Sequence, residues 1–128
     1  MARAVLDASA VIALIRGEPG ASLVEDYVGD GLISTVTLQE VIKALLVRGI
    51  ALESARGLIE ALNLESRPHQ VEDAYAAAAL FQATKSKGSG LGDRTCMALA
   101  IAEGLPAITT DRAWGELAIP GLNVILAR

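Results

Sequence analysis

The chain has 128 residues, 52% of them apolar, a formal charge of −4 and a single cysteine. That length supports one ordinary hydrophobic core and excludes two full domains, so residues 1–128 read as one domain. The lone Cys96 excludes an internal disulfide framework, no apolar stretch approaches the roughly 20 residues that span a bilayer, and the acidic balance counts against binding nucleic acid by broad phosphate neutralisation.

In chain order, Arg3 to Leu6 reads as a short apolar strand running into Asp7-Ala8-Ser9, a good helix start. The apolar run Val5 to Ile15 does not read as a secretory leader, because Asp7 interrupts it and no small-residue cleavage site follows; the cytoplasm is the expected compartment. Ala8 to Ile15 is a predicted helix stopped by Gly17 and Pro19. A second runs over about Ala21 to Val28, and Leu32 to Thr35 is a strand. From Leu38 the period becomes 3.6: Leu38, Val41, Ile42 and Leu45 occupy i, i+3, i+4 and i+7 of an amphipathic helix that Gly49 ends. Leu52 to Leu62 is a further helix and Leu64 to Arg67 an edge strand before Pro68. An alanine-rich helix, Val71 to Thr84, precedes a loop that ends Gly88-Ser89-Gly90-Leu91-Gly92. Asp93 opens a helix whose body, Cys96 to Ala102, is apolar on every side and therefore central and buried. Pro106 to Thr109 and Val124 to Leu126 are the last strands. Alternating strands and helices predict an α/β fold: a three-layer α/β/α sandwich around a mostly parallel sheet of about five strands.

Parallel sheets bind ligands at the carboxyl ends of their strands. Asp7 directly follows the first strand and Asp111 the strand ending Thr109-Thr110; Asp93 starts a helix after the glycine-rich loop, and Glu40 lies in the first turn of the helix after Leu32 to Thr35. All four acids can face one crevice. Each alone has a plain structural use, since Asp caps helix N-termini and Glu40 could pair with Lys43. Together they weigh differently. Two carboxylates about 5 Å apart repel by roughly 3 kcal/mol at an effective dielectric near 20, and several such pairs rival a domain's whole margin of about 5–15 kcal/mol. Clustered acids must then stay protonated or hold a cation, and oxygen ligands without His or Cys favour a hard ion, Mg²⁺ or Mn²⁺. Residue order alone does not establish the clustering.

The segments Val5-Leu6-Asp7-Ala8-Ser9-Ala10, Ser34-Thr35-Val36-Thr37-Leu38-Gln39-Glu40-Val41, Leu91-Gly92-Asp93-Arg94 and Thr109-Thr110-Asp111-Arg112-Ala113-Trp114, in that order, resemble the PIN domain, and within it the VapC-type toxins of toxin–antitoxin pairs. The resemblance covers essentially the whole chain; each motif is weak alone, and the four in order are specific. It implies a five-stranded parallel sheet, Mg²⁺- or Mn²⁺-dependent cleavage of RNA, the four acids Asp7, Glu40, Asp93 and Asp111 as metal-binding and catalytic residues, a cognate VapB-like antitoxin and frequent homodimers. Thr37 departs from it, since many relatives carry Asn there. Ser9 and Thr110 are expected as supporting hydroxyls beside the acids. The high apolar fraction independently points to a covered surface, in a homodimer or against a protein partner.

Two other readings use the same residues. One is a non-catalytic PIN-like interaction module. The other is a Mg²⁺-dependent phosphatase or phosphoacceptor with Asp7 as nucleophile, although Ser9 stands where the phosphatase pattern wants a second acid. Among the remaining residues, Arg94 and Arg112 follow acids and could steer phosphates, His69 reads as a loop residue away from the acids, Cys96 as a small core side chain, and Trp114 as packing against the sheet. Gly88 to Gly92 lacks the later residues of either phosphate-binding glycine motif.

Overall fold

A computed structural model describes residues 2–128. Five strands, β1 (Ala4–Leu6), β2 (Gly31–Ser34), β3 (Glu65–Arg67), β4 (Ala107–Thr109) and β5 (Val124–Leu126), form one all-parallel sheet in the order β3-β2-β1-β4-β5. Among the described residues seven helices surround it: α1 (Ala8–Arg16), α2 (Ala21–Val28), α3 (Thr35–Val47), α4 (Leu52–Glu60), α5 (Val71–Ala78), α6 (Phe81–Thr84) and α7 (Leu91–Glu103). The α/β fold expected from the alternation of elements is the fold observed. Among the described residues no helix is long and apolar enough to cross a membrane.

The strands alternate sides residue by residue, as the pleat requires. Ala4, Leu6, Ile33 and Ile108 face a core built with Ala10, Val11, Val24, Val41, Leu45 and Ala55, which α1 to α4 supply. Val5, Leu32 and Ala107 face the opposite core, with Cys96, Met97 and Ala100 of α7 and with Trp114. Both faces of the three inner strands are thereby covered, which is why they read as unbroken apolar runs. The chain lays β2 and β3 to one side of β1, then crosses over to lay β4 and β5 on the other. The order therefore reverses between β1 and β4, and the crevice beyond their carboxyl ends is the one this topology opens to a ligand.

Several boundaries differ from the sequence reading for local reasons. Helix α3 begins at Thr35, three residues before the periodic pattern, because Ser34 ends β2 and caps the helix through Val36 N–H (3.1 Å). Glu40 consequently lies in the second turn rather than the first. Helix α7 begins at Leu91, so Asp93 is its third residue and not its first; its carboxylate accepts from Gly90 N–H (2.8 Å). The alanine-rich helix breaks at Ala79-Leu80 into α5 and α6, a 3₁₀ turn over Lys85–Lys87 occupies part of the following loop, and another over Arg112–Glu116 follows β4. Helix α1 stops at Gly17, whose φ of 66° supplies the left-handed C-cap.

Candidate active site

Asp7 directly follows β1 and caps α1, so the chain leaves the sheet at the switch point while the residue stays 5% exposed. Three donors hold the carboxylate: Ala10 N–H (2.8 Å) and Ser9 Oγ (2.7 Å) on Oδ1, and Thr109 Oγ1 (2.5 Å) on Oδ2. Burial pushes the Asp7 carboxyl above its ordinary range; the three hydrogen bonds pull the other way, and the charge of Asp93 adds to the rise. Glu40 is also raised, by the partial burial of its carboxyl and then by the charges of Asp93 and Asp7. Beneath these acids, Cys96 lies fully buried one turn along α7 from Asp93, and its thiol is pushed well up by burial and then by Asp7, Asp93 and Glu40. Such a thiol is an inert core side chain. Three acids, from the end of β1 (Asp7), α3 (Glu40) and α7 (Asp93), thus share one field.

Glu40 reaches this pocket across Gly92. A Cβ placed on Gly92 would overlap the Glu40 carboxylate, so a glycine is what lets α3 and α7 bring Glu40 and Asp93 together. The two acids line a common groove with Gly90, Gly92 and Leu91. Asp111 sits differently. It is exposed, caps the 3₁₀ turn by accepting from Ala113 N–H (3.0 Å), and does not contribute to the raised values of Asp7 and Glu40. Its link to the others is indirect: Asp111 N–H donates to Thr109 Oγ1 (3.0 Å), and that hydroxyl donates to Asp7.

The supporting hydroxyls are only partly those expected. Ser9 holds Asp7 directly. Thr110 contributes its backbone N–H, to Ser9 Oγ (3.0 Å), and the hydroxyl on Asp7 belongs to Thr109, fully buried at the end of β4. The pairing of Leu6 with Ile108 brings Thr109 alongside Asp7, and no feature of the Thr109-Thr110 pair in the sequence separates the two roles. Thr109→Val keeps the shape of the side chain and removes the bonds to Asp7 and Asp111. It should destabilise the protein by about 1–3 kcal/mol, the usual effect of stranding buried polar partners, and Thr109→Ser should recover most of that in thermal melts.

Trp114 is 1% exposed in the core beside Cys96 and Met97, as the sequence reading had it, and is unavailable for stacking on a base. Arg94 is engaged locally: its Nη1 donates to the Ser89 carbonyl (2.7 Å) and its guanidinium lies 5.7 Å over the Phe81 ring. Arg112 is exposed. His69 lies between β3 and α5, its backbone N–H donating to Thr35 Oγ1 (3.1 Å), and lines a small cavity with Asp73 rather than the acid groove.

A PIN domain family model matches residues 4–120 of this chain. The chain belongs to the PIN domain family. No curated protein matches it. Among solved structures, this PIN domain is similar to a chain of a DNA-bound VapBC from Salmonella typhimurium (22% identity, 100% of each chain covered, TM-score 0.76). A toxin–antitoxin complex from Klebsiella pneumoniae (23%, 98% of each chain, TM-score 0.74) is also similar. So is VapBC2 from Rickettsia felis, bound to a promoter DNA fragment (16%, 96% of this chain and 97% of that one, TM-score 0.74). At such identities the likeness is one of fold.

The donor chemistry of the PIN pocket suits a hard cation. Asp93 Oδ1, Asp111 Oδ2 and both Glu40 oxygens accept no hydrogen bond among the described residues, and all are carboxylate oxygens. As placed, no group of three acidic, histidine or cysteine side chains among the described residues is arranged to hold one ion. The convergence is one of charge, with Asp7, Glu40 and Asp93 in mutual range and Asp111 linked to Asp7 only through Thr109 Oγ1.

Proposed function

We propose that this chain is a Mg²⁺- or Mn²⁺-dependent endoribonuclease of the VapC type, the toxin of a toxin–antitoxin pair restrained by a VapB-like antitoxin. The observation that carries the reading is the meeting of Asp7, Glu40 and Asp93, from three distant segments, at the switch point of the sheet, two of them with raised carboxyls. A pocket that concentrates negative charge at the expense of stability is an arrangement a divalent ion makes tolerable.

In this reading Asp7, Asp93 and Asp111 hold the ion, while Glu40 either joins them or orients the attacking water. A bound divalent ion supplies a water of lowered pKa and Lewis acidity toward the phosphate. The chain's own contribution is placement. Ser9, Thr109 and Ala10 N–H fix the Asp7 carboxylate, and Gly90 N–H fixes that of Asp93. Glu40, with neither oxygen committed, keeps the freedom to accept a proton from a water in the groove. Asp7 buried under three hydrogen bonds is poorly presented as a nucleophile, which favours water over a phosphorylated aspartate. The antitoxin finds support in the complexes that share this fold and in apolar surface: Leu46, Val47, Leu52 and Leu58 of α3 and α4 all stand exposed.

Incubating the purified protein with total RNA in Mg²⁺, Mn²⁺ or EDTA, and mapping the new ends, tests the reading. Discrete cleavage in either metal that EDTA abolishes is expected. Cleavage indifferent to EDTA, or none with any RNA, would overturn it.

A further inference from the structure

The chain carries eleven Lys and Arg residues against a net charge of −4, so any grip on an RNA strand must be local. Most of these cations are spoken for. Arg3, Arg16, Arg56, Arg67 and Lys87 sit in ion pairs with Asp30, Glu18, Glu60, Glu65 with Glu103, and Glu116 respectively. Arg94 is held by Ser89 and Phe81, and Arg48 and Arg128 bond backbone carbonyls. Lys43, Lys85 and Arg112 remain, all exposed and in no ion pair among the described residues, and of these three Lys43 is the one that lines the groove containing Glu40 and Asp93.

That groove, about 480 Å³, runs between the amino-terminal halves of α3 and α7. Its other walls are Val36, Gln39 and Leu91, the last 69% exposed. Lys43 lies three residues beyond Glu40 on α3, about 4.5 Å further along the helix axis. On one side of the groove is the acid pocket where a phosphate would be cleaved; on the other is a mobile point charge suited to a second phosphate. Gln39 offers both a donor and an acceptor to a base edge or ribose hydroxyl. Exposed Leu91 offers an apolar wall.

We propose that Lys43 anchors a phosphate of the RNA strand neighbouring the one cleaved, and that the α3–α7 groove is the track of that strand. This rests on the nuclease reading of the acid pocket. It also gives the steering role expected of Arg94, which Ser89 and Phe81 engage, to Lys43, a residue that chain order offered only as a partner for Glu40.

Binding of a mixed-sequence single-stranded oligoribonucleotide in EDTA, followed by fluorescence anisotropy over a salt series, separates the alternatives. Lys43→Gln should weaken binding several-fold and reduce the slope of log K against log salt by about 0.7, the value for one phosphate contact on a single strand. Arg48→Gln, the same charge change at the far end of α3, should leave that slope in place. On a cleavable RNA, Lys43→Gln should raise KM with kcat little changed, and Lys43→Arg should restore KM. Cleavage with KM and salt slope both unaltered in Lys43→Gln would overturn the inference and leave the nuclease reading standing. RNA binding that depends on Lys43 with no cleavage of any RNA would do the reverse. A groove that holds a partner protein and not RNA would show no change in either RNA measurement, and would also overturn it.

Discussion

Asp7→Asn is expected to abolish RNA cleavage and, in metal-free buffer at neutral pH, to raise the melting temperature. The two effects have one cause. Asn keeps the cap, since its carbonyl oxygen can accept from Ala10 N–H and Ser9 Oγ, while its amide can donate to Thr109 Oγ1. It removes the charge that burial and Asp93 disfavour. A lost metal ligand forfeits several kcal/mol of transition-state stabilisation, about a thousandfold or more in rate.

The pH dependence follows in sign. Below its ordinary value of 3.8, Asp7 is protonated in folded and unfolded chains alike and has no effect on stability. As pH rises, the unfolded chain ionises first, because the folded-state value is raised, so native stability falls until pH has passed that higher value. Glu40, raised from 4.5, acts in the same direction. The stability difference between Asp7→Asn and the parent should therefore be absent near pH 3.8 and grow above it, with roughly 3–5 °C in melting temperature for each kcal/mol. Added Mg²⁺ or Mn²⁺ should stabilise the parent, by about 2.7 kcal/mol at a hundred times Kd, and do little for the variant. A variant that melts lower than the parent in EDTA at pH 7, or cleaves RNA as the parent does, would contradict this account.

Gly92→Ala is expected to separate stability from activity in a second way. In a helix, Ala is favoured over Gly by roughly 0.5–1 kcal/mol. The new methyl group would occupy the space of the Glu40 carboxylate, the far end of a flexible, exposed side chain that can swing aside at small cost. The protein should melt at or slightly above the parent temperature, while cleavage falls by about 10–100-fold, the scale of an ångström-level misplacement in an active site. Gly57→Ala in α4 is the control, because a Cβ there meets nothing within 4 Å; it should bring the same gain in stability with activity intact. Equal activity in the two variants would show that Glu40 has no role that depends on its position.

Much of the architecture was legible from residue order, because strand and helix signals here are local. The run Ala4-Val5-Leu6 and the 3.6-period positions Val41 and Leu45 are buried as expected, and so are Cys96, Met97, Ala98 and Ala100 of α7. Leu99 and Ile101 are instead half-buried and Ala102 is exposed, because the far end of α7 is covered on one side only. Helix starts were less legible. Ser34 serves both as the last residue of β2 and as the cap of α3, and Gly90 gives no side-chain signal for the start of α7. Glu40 and Asp93 were therefore placed a few residues differently along their helices than expected.

What the sequence by itself determined was the α/β alternation and the set of acids that could lie at strand ends, since both follow from periodicity and from position after an apolar run. Only the tertiary structure decided which groups meet. The β1–β4 register puts Thr109 and not Thr110 on Asp7, and the packing of α3 on α7 puts Gly92 against Glu40 and Lys43 beside it. Asp111 likewise joins the pocket only through a shared hydroxyl. Contacts of this kind depend on the relative register of elements distant in the chain, and a shift of one residue in a strand exchanges its two faces.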